Sequence, residues 1–305
     1  MAISKVLLVS GSANFSTRDV WDGYRLSLEA MGIGVVSYPT FSLLKLMSEE
    51  TVCSNLLGTA LDLANQIDCV LFVDGLWFRG KRARIPQSIR RAGIPTVLIA
   101  TDDPYEIIPH WESLYTYRFT NEIRCLQDGI EYLPTATLPL PSIPRLENPE
   151  YDVSFLGTVF EDRYPLLRKV AEHCERNRLR FLIAGKILKG AAQFRQFQQT
   201  EVWQRTIETR EKLEIYANSK LTLNVFRASE EPADSPSPRI FEVTAFGHAA
   251  LVTGPEREEV RKLYGDAVYH YSSENDVLEV IDQGLKSQQE RIQKSTRAQQ
   301  ITHDS

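Results

Sequence analysis

The chain has 305 residues, 35 Lys and Arg against 40 Asp and Glu, and a formal charge of −5. At about 150 residues per domain, two domains are expected, and the acidic balance argues against a general polyanion binder while leaving room for a local basic patch. At 43% hydrophobic and 25% charged it is a globular and not a disordered composition.

No apolar run approaches the ~18 residues that span a bilayer. The N-terminus lacks a signal peptide's long apolar core. Cys53, Cys69, Cys125 and Cys174 are widely spaced, without a CxxC. That excludes a metal-ligand spacing and argues against a disulfide framework, so buried, reduced thiols in a cytoplasmic protein are expected.

In chain order, 5–10 (KVLLVS) reads as a buried strand, 19–31 as a helix and 34–38 as a second strand. Residues 51–66 carry apolar side chains at helical spacing. Strands follow at 68–74 and 96–100 with a helix over 86–92 between them. Near-continuous apolar strands alternating with helices predict a parallel sheet covered on both faces. Four prolines in PLPSIPRLENP, 139–149, break the pattern and mark an extended linker. The rhythm then restarts: strand 152–156, helix 163–177, strand 181–184, a helical stretch through 193–213, strand 221–225, helix 238–246 and strands 249–253 and 267–271. From 276 the chain reads as helix and then as a polar tail that frays. The expected organisation is a domain over 1–140, a linker over 141–150, a second domain over 151–285 and a tail over 286–305. Two such doubly wound domains imply a cleft between them, with ligands beyond the carboxyl ends of the strands.

Several motifs fail. Residues 75–82 (GLWFRGKR) approach a P-loop, but Arg82 stands where a Mg²⁺-binding hydroxyl belongs, and Trp77 and Phe78 are too bulky for a phosphate cradle. Gly11 is followed by no further glycines at dinucleotide spacing. A phospho-acceptor reading of Asp102-Asp103 fails because those acids follow the fourth strand and not the first. No HExxH, GxSxG or Cys/His nucleophile pattern occurs. His173, in a charge-rich helix, reads as solvated, and His248 as a packing or capping residue.

Polar chemistry concentrates at three strand ends of the second half. Gly157 and Thr158 precede Arg163 at a helix start; Gly185 precedes Lys186 and Lys189; and 235–242 reads SPSPRIFE. Ser237 suits an N-cap and Pro238 the first helical position. The free N–H groups there and Arg239 favour an anion. Glu242 lies about one turn on, where a carboxylate can accept both hydroxyls of a ribose. Phosphate plus ribose means a nucleotide. A slipped capping box explains the same Ser and Glu, and both readings stand on these residues alone.

The order DVSFLGT, FLIAG, YANSKLTLNVFR and SPRIFEVTAFGHAALVTG resembles the group-1 type of GT-B glycosyltransferases, especially the spore-maturation (CgeB-like) branch, over about 150–285. The resemblance implies an α/β GT-B fold, two Rossmann-like doubly wound domains facing a central cleft, and a hexosyltransferase using a nucleotide-sugar co-substrate, a UDP-sugar, without other cofactor. It casts Glu242 as the ribose ligand; Ser237, Pro238 and Arg239 as facing the diphosphate; Gly157 and Thr158 as the phosphate loop beside Arg163; and Arg227, with Lys186 and Lys189, as further cations. The group often carries a second acid eight positions before the ribose glutamate, and Asp234 occupies that place.

Arginines and helix N-termini stabilise a leaving diphosphate without metal, and no strand-flanked DxD occurs in the second half. Transfer is therefore expected to be metal-independent and, by analogy, retaining. Gly11, Ser12 and Asp102 are the acceptor-side candidates, with Asp103 or His110 as the group that orients or deprotonates the acceptor and Arg239 as the catalytic cation. The acceptor is open: a glycan, a protein, a small molecule or a nucleic acid. A basic run at 79–91 with Trp77 and Phe78 suits a nucleic acid, although a solvated helix face explains it too. A binding module without turnover and a GT-B-type sugar epimerase are the alternatives.

Overall fold

The computed structural model describes residues 3–11, 15–104, 108, 110–135, 137, 143–228 and 233–305. The chain divides into two compact units: unit 1 is Met1–Pro139 with Glu231–Ser235, and unit 2 is Leu140–Glu230 with Pro236–Ser305.

Unit 1 runs β1 (Lys5–Ser10), α1 (Phe15–Ala30), β2 (Gly34–Tyr38), α2 (Thr40–Leu44), α3 (Glu49–Leu61), β3 (Cys69–Val73), α4 (Arg84–Arg91), β4 (Thr96–Ile99), β5 (Tyr117–Thr120) and β6 (Ile130–Tyr132). Its six strands lie in the order β2-β1-β3-β4-β5-β6, and every pairing is parallel. The pleat explains the unbroken apolar strands. Leu7 and Val9 turn to one face, against Val52, Leu56, Ile85 and Ile89. Leu8 turns to the other, against Val20 and Trp21.

Unit 2 runs β7 (Tyr151–Leu156), α5 (Tyr164–Asn177), β8 (Phe181–Gly185), α6 (Ala191–Phe194), β9 (Thr200–Gln204), α7 (Thr209–Ala217), β10 (Ser219–Val225), α8 (Pro238–Phe246), β11 (Ala250–Gly254), α9 (Glu258–Tyr264), β12 (Tyr269–His270), α10 (Asp276–Lys286) and α11 (Gln288–Asp304). The parallel order β9-β8-β7-β10-β11-β12 has its topological switch between β7 and β10. Val153, Phe155, Phe181 and Leu221 pack under α5 and α10. Leu182 and Leu251 pack on the opposite face with Ile240, Val243 and Phe246 of α8.

Four expectations change. The helical stretch at 193–213 contains edge strand β9, whose side chains are mostly half-covered and so carry no continuous apolar run. Strands β5 and β6 were not anticipated; at four and three residues they are too short to show a period. The polar tail does not fray. Helix α11 docks through Ala298 and Ile301 in the core and through polar atoms: Thr302 Oγ1 bonds Thr244 Oγ1 at 2.7 Å, and Gln299 donates to the Ala245 carbonyl at 3.0 Å. Arg145, in the proline-rich stretch, donates to Ser295 of α11 and to the Gly247 and His248 carbonyls. His173 is buried, not solvated, and its Nε2 meets Asp282 at 2.7 Å.

The failed P-loop is core. Trp77 and Phe78 are buried, and Phe78 stands edge-on to Phe72. Arg82 donates to the Trp77 carbonyl and pairs with Glu49 at 3.1 Å. The Arg82 guanidinium itself stands over the Trp77 ring, 5.0 Å from its centroid. All four cysteines are free, with Cys125 half-buried and the others buried.

Gly11 closes β1 against the backbone after β3. A Cβ there falls 1.6 Å from the Asp74 carbonyl oxygen. Gly11→Ala is expected to cost about 1–3 kcal/mol through overpacking, read as a lower urea midpoint with an unchanged slope.

Candidate functional site

In a doubly wound sheet the connections leave in opposite directions at the switch point, which opens a crevice at the carboxyl ends of the two strands. In unit 2 those ends are Leu156 of β7 and Val225 of β10. Gly157-Thr158 follows the first and Phe226-Arg227 the second.

Gly157 has φ +152°, and the nearest atoms to a Cβ on it, its chain neighbours aside, belong to the Phe155 ring at 3.4 Å and to Arg239, with Nη2 at 3.7 Å. The turn thus lies against the guanidinium from the first turn of α8. Gly185 supports it: at φ +126°, a Cβ there comes within 2.3 Å of the Gly157 carbonyl oxygen.

Three arginines gather here. Arg163 donates to the Thr158 carbonyl at 3.0 Å, yet its Nε is buried without a partner. Its guanidinium pKa is pushed down to about 10 by burial and then by the like charges of Arg239 and Arg227, which Asp162 offsets only in part. Arg227 stacks on Phe160 at 4.3 Å and lies 3.9 Å from Asp162. Cations that repel one another in a partly desolvated crevice are stabilised by an anion, and the N-terminus of α8 adds its free N–H groups.

Glu242, one turn into α8, lies 3.1 Å from Lys212 Nζ and 3.5 Å from Arg239 Nη1. It accepts from Tyr216 Oη at 3.2 Å, and Arg239 Nη1 contacts that same hydroxyl at 2.6 Å. Burial by itself raises the Glu242 pKa; Lys212, Arg239 and the hydrogen bonds outweigh it and hold the carboxyl below its ordinary range. An ionised carboxylate has about four acceptor positions, so acceptor capacity is left for hydroxyls.

Ser237 sits at the N-cap with Pro238 in the first turn, but its hydroxyl makes no capping bond and donates instead to Asn224 at 2.9 Å. The capping-box reading of Ser237 and Glu242 therefore fails. Lys186 and Lys189 are exposed beyond β8, and Lys189 pairs with Glu161 at 3.2 Å. Asp234 groups with unit 1, where it pairs with Arg124. Among the described residues no group of three or more His, Cys, Asp or Glu is placed to hold a metal. Lys212 and Tyr216 were missed. Their signal was the i, i+4 spacing on α7, which places both on one face.

In unit 1, Asp103 and His110 line one cavity of about 390 Å³ with Trp111, Glu112 and Arg118. The Asp103 carboxylate receives Thr120 Oγ1 at 2.6 Å and Arg118 at 3.3 Å. Burial still leaves its pKa raised, against the pull of those two partners. His110 and Asp102 are exposed. Gly11 is fixed by the Asp74 backbone, and Ser12 lies outside the described residues.

A folded-state pKa below the unfolded value means that Glu242 contributes stability that is present above the ordinary carboxylate range and lost as pH falls through the folded pKa. Glu242→Gln removes the carboxylate facing buried Lys212 and is expected to cost about 3–5 kcal/mol at neutral pH. Urea midpoints measured across pH should show the gap from wild type narrowing on acidification.

Residues 163–305 match a family described as glycosyl transferase-like. No curated protein matches the chain. Among solved structures, an alpha-glucosyltransferase in complex with UDP and a 13-mer DNA aligns with a TM-score of 0.73 at 10% identity, covering 99% of this chain and 95% of that one. AviGT4, a glycosyltransferase involved in avilamycin A biosynthesis, aligns at 0.66 and 14% identity over 99% and 96%. HepE of Anabaena, in complex with UDP and glucose, aligns at 0.61 and 12% identity over 99% and 95%. These likenesses establish the fold as GT-B, a class built from two doubly wound α/β units.

Proposed function

We propose that this chain is a glycosyltransferase that takes a hexosyl group from a UDP-sugar bound at the switch point of unit 2. Arg239 beside the Gly157 turn, Arg163 on the Thr158 carbonyl and Arg227 near Arg163, with an ionised Glu242 one helical turn beyond Arg239, carry this reading. A diphosphate fits the cations and the N-terminus of α8. Gly157 allows its oxygens close to the backbone, and Glu242 accepts the ribose hydroxyls. UDP in the complexes of HepE and the alpha-glucosyltransferase favours uridine as the nucleoside. The Pro-Arg-x-Phe-Glu helix favours the CgeB-like branch of the group-1 type.

As the glycosidic bond to the diphosphate breaks, negative charge grows on the leaving oxygen. Arg239 and Arg163 meet that charge with donors already in place, so neither a metal nor a large reorganisation is required of the site. The reading includes retention of configuration, on the group-1 resemblance. The acceptor hydroxyl is assigned to the unit 1 cavity. His110 is exposed on its wall, whereas the Asp103 carboxylate is enclosed by Arg118 and Thr120, so the imidazole is the more accessible base.

Calorimetry with a panel of nucleoside diphosphates, with and without Mg²⁺, tests the donor site. UDP should bind without Mg²⁺. Arg163→Ala and Arg239→Ala should each weaken it by about 2–5 kcal/mol, the range for truncating one partner of a buried charge pair, and Glu242→Ala by about 1.5–3 kcal/mol, that of a hydrogen bond to a charged group. A panel without binding removes the proposal. Binding without sugar transfer or isomerisation supports the silent module, and isomerised sugar without acceptor supports the epimerase.

A further inference from the structure

The peptide that leads into α8 is held by a buried carboxylate. Glu122, just after β5, is 1% exposed. Its Oε1 accepts the Arg124 N–H at 3.0 Å and the Asp234 N–H at 3.0 Å, and its Oε2 accepts the Ser235 N–H at 3.1 Å. In return the Ile123 N–H donates to Ser235 Oγ at 2.8 Å. Capping the short turn at Ile123–Cys125 needs only the Arg124 N–H. The other two bonds go to a peptide more than a hundred residues away in sequence, immediately ahead of Pro236-Ser237-Pro238.

A further step runs inward. The Glu122 N–H donates to Thr120 Oγ1 at 3.2 Å, and that hydroxyl donates to Asp103 at 2.6 Å. The Asp103 carboxylate on the cavity wall and the peptide ahead of α8 are thus joined by one line of hydrogen bonds.

We propose that Glu122 is a positioning residue, a latch whose carboxylate fixes Asp234 and Ser235 and thereby the entry into α8, whose first turn carries Arg239. This rests on the reading of α8 as the donor helix. A carboxylate suits the task because it has only acceptors to offer, and all three groups facing it are N–H donors. A carboxamide keeps one acceptor oxygen and turns an N–H₂ toward the remaining donors.

The test measures residue-resolved amide exchange at Asp234 and Ser235, calorimetric UDP affinity and steady-state kinetics on the wild type, Glu122→Gln and Glu122→Ala. In the wild type both amides are expected to be protected. In Glu122→Gln exchange should quicken by about tenfold or more as local opening becomes easier. UDP affinity should fall by about tenfold, with donor KM raised to match and kcat within about twofold. Glu122→Ala should show larger changes of the same kind. The near-isosteric Gln variant carries the test if the Ala variant does not fold. Unprotected amides in the wild type overturn the latch, and so does UDP affinity unchanged in a variant whose protection is lost. A wild type that binds no UDP overturns the donor-site reading itself, and that failure is visible before any variant is made.

Discussion

The burial of Arg163 beside two like charges, Arg227 and Arg239, is the constraint on which the strand-end site of unit 2 depends. Burial and two neighbouring like charges push the Arg163 pKa down to about 10, so its charged guanidinium is less favourable there than in water. What holds it is the sheet. β7 and β10 are adjacent and parallel, their connections diverge, and the first residues beyond each strand face one crevice. Around the three stand Asp162 near Arg227, the Phe160 ring beneath it, and Glu242 and Tyr216 on Arg239.

The same logic explains why Glu242 stays ionised although it is half-buried. A carboxylate enclosed in protein ordinarily takes up a proton. Here two cations and a tyrosine hydroxyl replace the lost water. Lys212 and Tyr216 come from α7 and Arg239 from α8, so the carboxylate marks where those helices meet. Its surroundings are made by tertiary packing, which is why Lys212 and Tyr216 did not stand out in the sequence, where α7 reads as an ordinary charged helix.

What was legible was what obeys a period or a local rule. The doubly wound rhythm showed because the central strands are apolar on both faces, and α8 showed because Ser237 and Pro238 mark a helix start. What did not show follows other rules. Edge strand β9 is half-covered and has no apolar run. Helix α11 buries only Ala298 and part of Ile301 in the core and adds Gln299, Thr302 and Ser295, whose polarity suggested a solvated tail. Asp234 groups with unit 1, where its N–H bonds Glu122, a residue that nothing local singles out, and its carboxylate pairs with Arg124.

The strand-end glycines show how one signal divides on contact with structure. Gly11, Gly157 and Gly185 each follow or end a strand, and each invites the reading that a ligand needs room. A Cβ on Gly11 collides with the Asp74 carbonyl, and one on Gly185 with the Gly157 carbonyl, so the fold's own backbone dictates both residues. A Cβ on Gly157 makes only ordinary contacts, with a ring and with the Arg239 guanidinium. Its φ of +152° is the feature that favours glycine there. Close approach within the chain thus accounts for two of the three. The third, the one without a backbone clash, is the one that faces Arg239.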